Sequence, residues 1–378
     1  MDFSFSEEQR VLAGTVKDFS LREIEPLAGQ IERDARLPDD LIKKMSKLGL
    51  FGMTVPHELG GSSIGNLSAA IACEQIAYSG TGAWWLLSFN NSIPDCINRF
   101  GTDYLKKTYI PDLCEGNFYG SLQFTEEDTG SNPEELKTRA HLEKNHYLIN
   151  GMKRFSTFGA RNGVAIVFTK DDAAKCSAFV VEKNCPGYEA SKPWELIGNG
   201  GIETVDVYYK DVKVDTKNLF GTAGQGFDIL LHWIAIEKIM QCAACVGIAQ
   251  AALDEAVKYS GSRQVKGKPV NRMQGIQWTL AELYAKLDAA RLSSYKAAYV
   301  ADKKSDELHT TAAAAKLFVV PVTIDIVEKA RQLHGAYGYT REFKIDRLSR
   351  SIIGAANIAT SLEINRSIVG SALTKVKQ

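Results

Sequence analysis

The sequence predicts an α+β chain in three parts: an N-terminal α-helical domain over residues 1–119, a middle antiparallel β-domain over 120–222 and a C-terminal four-helix bundle over 223–378. Three observations carry this. Apolar residues recur at three-to-four spacing in the first third, the middle third alternates and is rich in β-branched residues, and long one-sided apolar helical patterns fill the rest. With 378 residues, the chain is long enough for two or three sizeable cores.

In the first part, EEQRVLAGTVKDFSLREIEPLA and PDDLIKKMSKLGLFGM both read as amphipathic helices, the second opened by Pro38 and two aspartates. A further helical pattern runs through AAIACEQIA, between Ser63 and Ser79. From Tyr119 to Phe220 the runs FYGSLQF, TRAHLEKNHYLING, GVAIVFT, SAFVVEK and ETVDVYYKDVKV are separated by Glu-Lys-Asn, Asn-Gly, Asp-Asp and Pro-Gly, which predicts short antiparallel strands. The segment GNGGIET, 198–204, reads as a flexible turn before a strand. Beyond Gly226, three helical patterns of roughly 25 to 40 residues are too apolar on one face to stand alone, so they predict a bundle.

Acidic and basic residues balance at 45 each, so no strong field points to nucleic acid or an anionic membrane. No run reads as the ~20 apolar residues of a membrane span, and the first residues lack a signal-peptide pattern. Seven scattered cysteines predict free thiols in a reducing compartment, hence a cytoplasmic protein. Cys242 and Cys245 form a CxxC, but within an Ala-rich helical pattern with no second pair, so helix packing explains them and no metal site is expected. Phosphate-loop, dinucleotide, hydrolase and zinc-protease motifs are missing. The six histidines show no ligand spacing, and His232 reads as a packed or capping residue.

Five stretches in order are more informative: QFTEEDTGSNPEELKTRA, YLINGMKRFSTFGARNGVAIVFT, LFGTAGQGFDILL, SRQVKGKPVNRMQGIQWTLAELYAKLDAAR and RQLHGAYGYTREFKIDRLSR. Together they resemble the acyl-CoA dehydrogenase family of flavoproteins over essentially the whole chain. The resemblance implies FAD as cofactor, the same three-domain layout, and removal of two hydrogens from an acyl thioester. Thr125 and Ser131 match flavin-contacting positions in the family's T-E-P-x-A-G-S-D pattern, which here reads Thr-Glu-Glu-Asp-Thr-Gly-Ser-Asn. Phe155 matches an aromatic residue over the flavin ring, and Thr157 a hydrogen-bonding position near its reactive nitrogen. Arg263 matches an arginine that pairs with the pyrophosphate of a neighbouring subunit's FAD, where a guanidinium suits phosphate. Gln332 and Gly335 match a stretch that approaches that same cofactor. Such sharing implies a homotetramer or homodimer.

The family chemistry needs a base near the weakly acidic α-proton, in a dry site that raises its pKa. In most members it is a glutamate near the C-terminus. Between Arg350 and Arg366 this chain reads SIIGAANIATSLEIN, with Glu363 its only charge, and Ala359 stands where that glutamate belongs. Thr360 and Ser361 beside it match positions at the flavin phosphates. In a minority of the family, the isovaleryl-CoA and prolyl-carrier-protein types, the base lies ten residues before a glycine on the first long bundle helix. Here that residue is Glu237, ten before Gly247. A salt bridge to Lys238 is the structural alternative for it. Asp95 is a further candidate base, with a helix start after Pro94 as its simpler explanation. The thioester is then a CoA ester or an acyl or aminoacyl group, such as prolyl, on a carrier protein in a biosynthetic pathway. The electron acceptor is an electron-transfer flavoprotein or dioxygen. Other readings are a 1,4-elimination, desulfination or monooxygenation on the same flavin, or a non-catalytic paralogue.

Overall fold

The computed structural model describes residues 4–132 and 135–375. Helix α1, Glu7–Phe19, begins at a reciprocal cap: Gln9 N–H donates to Ser6 Oγ at 3.2 Å, and Ser6 N–H donates to the Gln9 side chain at 3.1 Å. The chain then passes through α2 (Ala28–Asp34), α3 (Asp39–Lys47), α4 (Gly65–Ala77), α5 (Ala83–Phe100) and α6 (Asp103–Cys114). Asp39 and Asp40 fill the first turn of α3 after Pro38, as the sequence leads one to expect.

The middle domain holds β1 (Tyr119–Gln123), β2 (Arg139–Glu143), β3 (His146–Thr157), β4 (Gly163–Lys170), β5 (Cys176–Glu182), β6 (Tyr188–Ala190), β7 (Thr204–Asp215) and β8 (Leu219–Phe220). They form one sheet in the order β6-β7-β3-β2-β4-β5-β8, with β1 added alongside β4. Two expectations need correction. The sheet is mixed, because β1 runs parallel to β4 from Tyr119↔Gly163 to Gln123↔Val167. Its strands are not all short, since β3 and β7 span 12 residues each and pair along most of their length. Along β4, Val164, Ile166 and Phe168 face the helical core, whereas Ala165 and Val167 face a smaller core with Phe179, Val205 and Val212. A strand covered on both faces reads as a continuous apolar run, which hid its neighbours' direction.

The C-terminal part is built on α7 (Gly226–Ser262), α8 (Gln274–Asp302) and α9 (Leu308–Leu333), with a short β9–β10 ribbon (Gln264–Val265 and Lys268–Pro269) between α7 and α8. The shorter α10 (Lys344–Ile353) and α11 (Leu362–Thr374) pack on α9. Contrary to the reading that no stretch reaches membrane-span length, α7 and α9 are both long and apolar enough by composition. Most of the apolar window of α7 is buried inside the protein, so its apolarity serves the core. Cys242 and Cys245 are buried free thiols within α7, and all seven cysteines are unbridged.

Helix α7 is the axis of the molecule, contacting α4, α5, α8, α9 and α10. Its closest approach to α4 is at Gly247, where a Cβ would lie 2.0 Å from the Glu74 carbonyl oxygen. Gly247→Ala is therefore expected to lower stability by about 1–3 kcal/mol through overpacking, read from urea denaturation. Wild-type stability of that variant would contradict the close α4–α7 seam.

Candidate active site

Helices α5 and α7 run antiparallel and place polar groups opposite one another in an otherwise aromatic and aliphatic layer. Glu237 is 1 % exposed. Its carboxylate accepts hydrogen bonds from Ser88 Oγ at 3.0 and 2.9 Å, one to each oxygen, and from Ser92 Oγ at 3.4 Å. Ser92 in turn accepts from Trp233 Nε1 at 3.0 Å. Burial pushes the Glu237 carboxyl up to about 7, against the opposing pull of the two serine hydroxyls and of Lys316. A carboxyl held there exchanges a proton near neutral pH, in either direction. Glu237 does not form the alternative salt bridge with Lys238.

Lys316 links this carboxylate to the loop that bears Ala359. Its buried ammonium donates to the carbonyl oxygens of Ile358 and of Thr360, the latter at 2.6 Å. Ala359 and Thr360 both adopt left-handed backbone, with φ of 50° and 85°. A non-glycine residue in that region costs roughly 1–3 kcal/mol, so the Lys316 contacts hold a conformation the chain would not choose alone. Ser361 caps α11, accepting from Ile364 N–H at 3.4 Å, and Thr360 Oγ1 accepts from Asn365 Nδ2 at 3.0 Å. The stretch 351–365 runs as helix, turn, loop and helix.

Asp95 has a different setting from the one expected. It lies in the interior of α5 rather than at a helix start, and Pro94 is likewise internal. Its carboxylate is 2.9 Å from His232 Nε2, one turn beyond Ser92. This pairing separates it from Glu237 and occupies it.

Thr125, Phe155 and Thr157 come together where the β1 exit meets β3. Arg154 N–H donates to the Thr125 carbonyl at 2.7 Å, and Ser121 Oγ donates to the Thr157 carbonyl at 2.7 Å. The β3–β7 register slips between Lys153 and Ser156, and Phe155 has a φ of 54°. The bulge turns the Phe155 ring outward, leaving the residue 55 % exposed beside Trp194, at a ring-centroid distance of 5.5 Å. The loop from Thr125 towards Ser131 rests on a buried pair: Lys153 Nζ donates to Glu126 at 2.7 Å, and Glu126 also accepts from Thr138 N–H. Ser131 itself is exposed.

Arg263, Gln332 and Gly335 gather at the far end of the bundle. Tyr259, one turn before Arg263, stacks on His334 at 4.6 Å, which brings the C-terminus of α7 to the turn after α9. Arg263 and Gln332 are exposed, and Gly335 takes a φ of 59°. Arg263 forms no ion pair with any described residue. The sequence alone did not identify Ser88, Ser92, Trp233 or Lys316. Two hydroxyls at i, i+4 inside WWLLSFNNS were the available signal, since neither aids a helix interior.

With this geometry in view, comparison with known proteins decides the family. Models of the acyl-CoA dehydrogenase N-terminal, middle and C-terminal domains match residues 6–117, 121–212 and 224–374. The chain belongs to the acyl-CoA dehydrogenase family. It is 33 % identical to the 3-(aryl)acrylate reductase of Clostridium sporogenes, over 98 % of this chain and 100 % of that one. It is also 33 % identical to the acryloyl-CoA reductase (NADH) of Anaerotignum propionicum, covering 99 % and 96 % of the two chains. The butyryl-CoA dehydrogenase structure from Megasphaera elsdenii superposes with a TM-score of 0.95 at 29 % identity, covering 99 % of this chain and 100 % of that one.

Family members are FAD-dependent oxidoreductases of acyl-CoA, and the residues here fit that cofactor. The half-exposed Phe155 ring offers a flat apolar face for a planar heterocycle. Beside it Thr157 and a buried Ser156 hydroxyl stand ready, the latter with no partner among the described residues. The unpaired Arg263 offers a guanidinium to phosphate.

The raised carboxyl of Glu237 has a stability consequence. Below about pH 4.5 it is protonated in both folded and unfolded chains. As pH rises from 4.5 to about 7 the unfolded chain ionises first, so stability falls through that window. Glu237→Gln is expected to gain stability relative to the parent between pH 5 and pH 8, by up to about 3 kcal/mol, in denaturant titrations at the two pH values. A difference independent of pH would show that the carboxyl is not raised.

Proposed function

We propose that this protein interconverts a saturated acyl-CoA thioester and its α,β-unsaturated counterpart, with Glu237 moving the α-proton. The single observation that carries this reading is the buried Glu237 carboxylate cradled by Ser88 and Ser92, in a chain that has alanine at 359. When bound, FAD supplies the two-electron acceptor and donor for the β-hydrogen. Thr125, Ser131, Phe155 and Thr157 would hold its flavin end, and Arg263, Gln332, Gly335, Thr360 and Ser361 its phosphates, the first three of these from a neighbouring subunit.

The residues of this chain then handle the proton. Ionised Glu237 accepts it from the α-carbon, and protonated Glu237 returns it to an unsaturated thioester. A carboxyl near pH 7 populates both forms, which suits a reversible reaction. Burial between α5 and α7 excludes water, so an enolate-like α-carbon is not quenched from solvent. The serine hydroxyls fix the carboxylate's orientation, and Trp233 fixes Ser92. Relatives named for dehydrogenation and for reduction both lie in this family, consistent with a base that works in either sense.

Glu237→Gln keeps shape and removes the base. It is expected to retain bound FAD while losing at least about 1,000-fold in the rate at which a saturated acyl-CoA bleaches the flavin, followed by stopped-flow absorbance. Parallel assays with carrier-protein thioesters, and product analysis with and without oxygen, separate CoA oxidoreduction from a carrier-bound substrate, elimination or monooxygenation. Near-parental bleaching by the variant would assign Glu237 a structural role.

A further inference from the structure

One turn beyond Glu237 on the same face of α7, the side chain of Gln241 is only 1 % exposed, and neither its amide oxygen nor its amide nitrogen has a hydrogen-bond partner among the described residues. A buried primary amide left in that state costs roughly 1–3 kcal/mol for each unmet group. The cost is not relieved by the helix, because α7 satisfies its own backbone. A glutamine is also a poor choice for a site that only needs filling, since leucine fills the same volume without polar atoms.

Across the interface the register is set by two contacts, Trp233 to Ser92 and Glu237 to Ser88. Continuing the antiparallel pair by one more turn brings Trp84 and Trp85 of α5 to the level of Gln241. Trp84 is satisfied, donating to Asn199 Oδ1 at 3.2 Å. Trp85 is not: its Nε1–H has no partner among the described residues, although the side chain is 4 % exposed. Two independent side chains at one level of the α5–α7 seam therefore present unmet hydrogen-bonding groups, a donor from Trp85 and a donor and an acceptor from Gln241. Gln241 follows Glu237 by one turn of α7, and Trp85 precedes Ser88, which donates to Glu237, by three residues of α5.

We propose that Gln241 and Trp85 form a subsite for an uncharged polar substituent, a hydroxyl or carboxamide, on the distal part of the acyl chain. The assignment rests on the placement of the α-carbon at Glu237 proposed above. One helical turn is about 5.4 Å, so the substituent lies roughly three to four bonds beyond the α-carbon. A hydroxyl or amide both donates and accepts, matching what the two side chains present. An anionic substituent is disfavoured by the neighbouring Glu237 carboxylate, and a plain alkyl end would leave all three groups unmet. Sites built to hydrogen-bond a substrate group reject the analogue lacking it far more strongly than apolar pockets reject an added methylene.

The test compares 4-hydroxybutyryl-CoA with pentanoyl-CoA, its near-isostere, on the FAD-loaded enzyme. Binding is measured calorimetrically with the flavin reduced beforehand, which blocks dehydrogenation of either saturated ester, and turnover in the oxidised parent. The hydroxyacyl ester is expected to bind at least about ten-fold tighter than pentanoyl-CoA. Gln241→Leu is expected to bring that ratio to about one, by weakening the hydroxyacyl ester and tightening the alkyl one. Trp85→Phe, which removes only the N–H and keeps a ring, is expected to lower the ratio partway, and it covers the case in which Gln241→Leu does not fold. Equal binding of the two esters by the parent, or an unchanged ratio in either variant, overturns the subsite. Because binding is read without turnover, these results stand apart from whether Glu237 is the base.

Discussion

The contact between Ser88 and Glu237 is the constraint around which the rest of this molecule is arranged. A carboxylate buried in apolar surroundings is expensive unless donors meet it, and the donors here come from a helix 149 residues earlier in the chain. That requirement fixes the α5–α7 register. It also explains why the two hydroxyls stand in an aromatic helix, and why Trp233 spends its indole N–H on Ser92 rather than on solvent. The balance between burial and these donors leaves the carboxyl near neutrality instead of at either extreme. Tighter donation would hold it ionised and a weak base, and drier surroundings would hold it protonated.

The loop at Ala359 belongs to the same arrangement. Lys316 reaches from α9 to two of its carbonyls, and its charge is felt at Glu237. Ala359, where the family resemblance places an acid, and Glu237, the base proposed here, are thus joined by one buried ammonium. The strained backbone at Ala359 and Thr360 persists because Lys316 and the cap of α11 over-determine it. On the other side of the site, the β3 bulge does comparable work, exposing the Phe155 ring while its neighbours Ser156 and Thr157 stay buried.

Much of the architecture was legible in the chain because periodicity is local. The helix start at Pro38, the β-branched run GVAIVFT and the long patterns after Gly226 need no knowledge of distant partners. The parallel pairing of β1 with β4 was not legible, since a strand buried on both faces loses the alternation that reveals its setting. Glu237 could be singled out by the family resemblance and by its apolar flanks. Ser88, Ser92, Lys316 and Gln241 could not, because their significance arises only when helices far apart in sequence pack. Asp95 misled for a related reason: Pro94 signals a helix start locally, but α5 carries the proline in its interior and gives the aspartate to His232.

The central claim is that Glu237 exchanges a proton with the α-carbon of an acyl thioester. Wash-in of deuterium from D2O at that carbon isolates this step, using a thioester whose β-position cannot give up hydride. The account predicts α-deuteration by the parent enzyme, followed by mass spectrometry, and no exchange above background by Glu237→Gln. Exchange at the parental rate in the variant would contradict it.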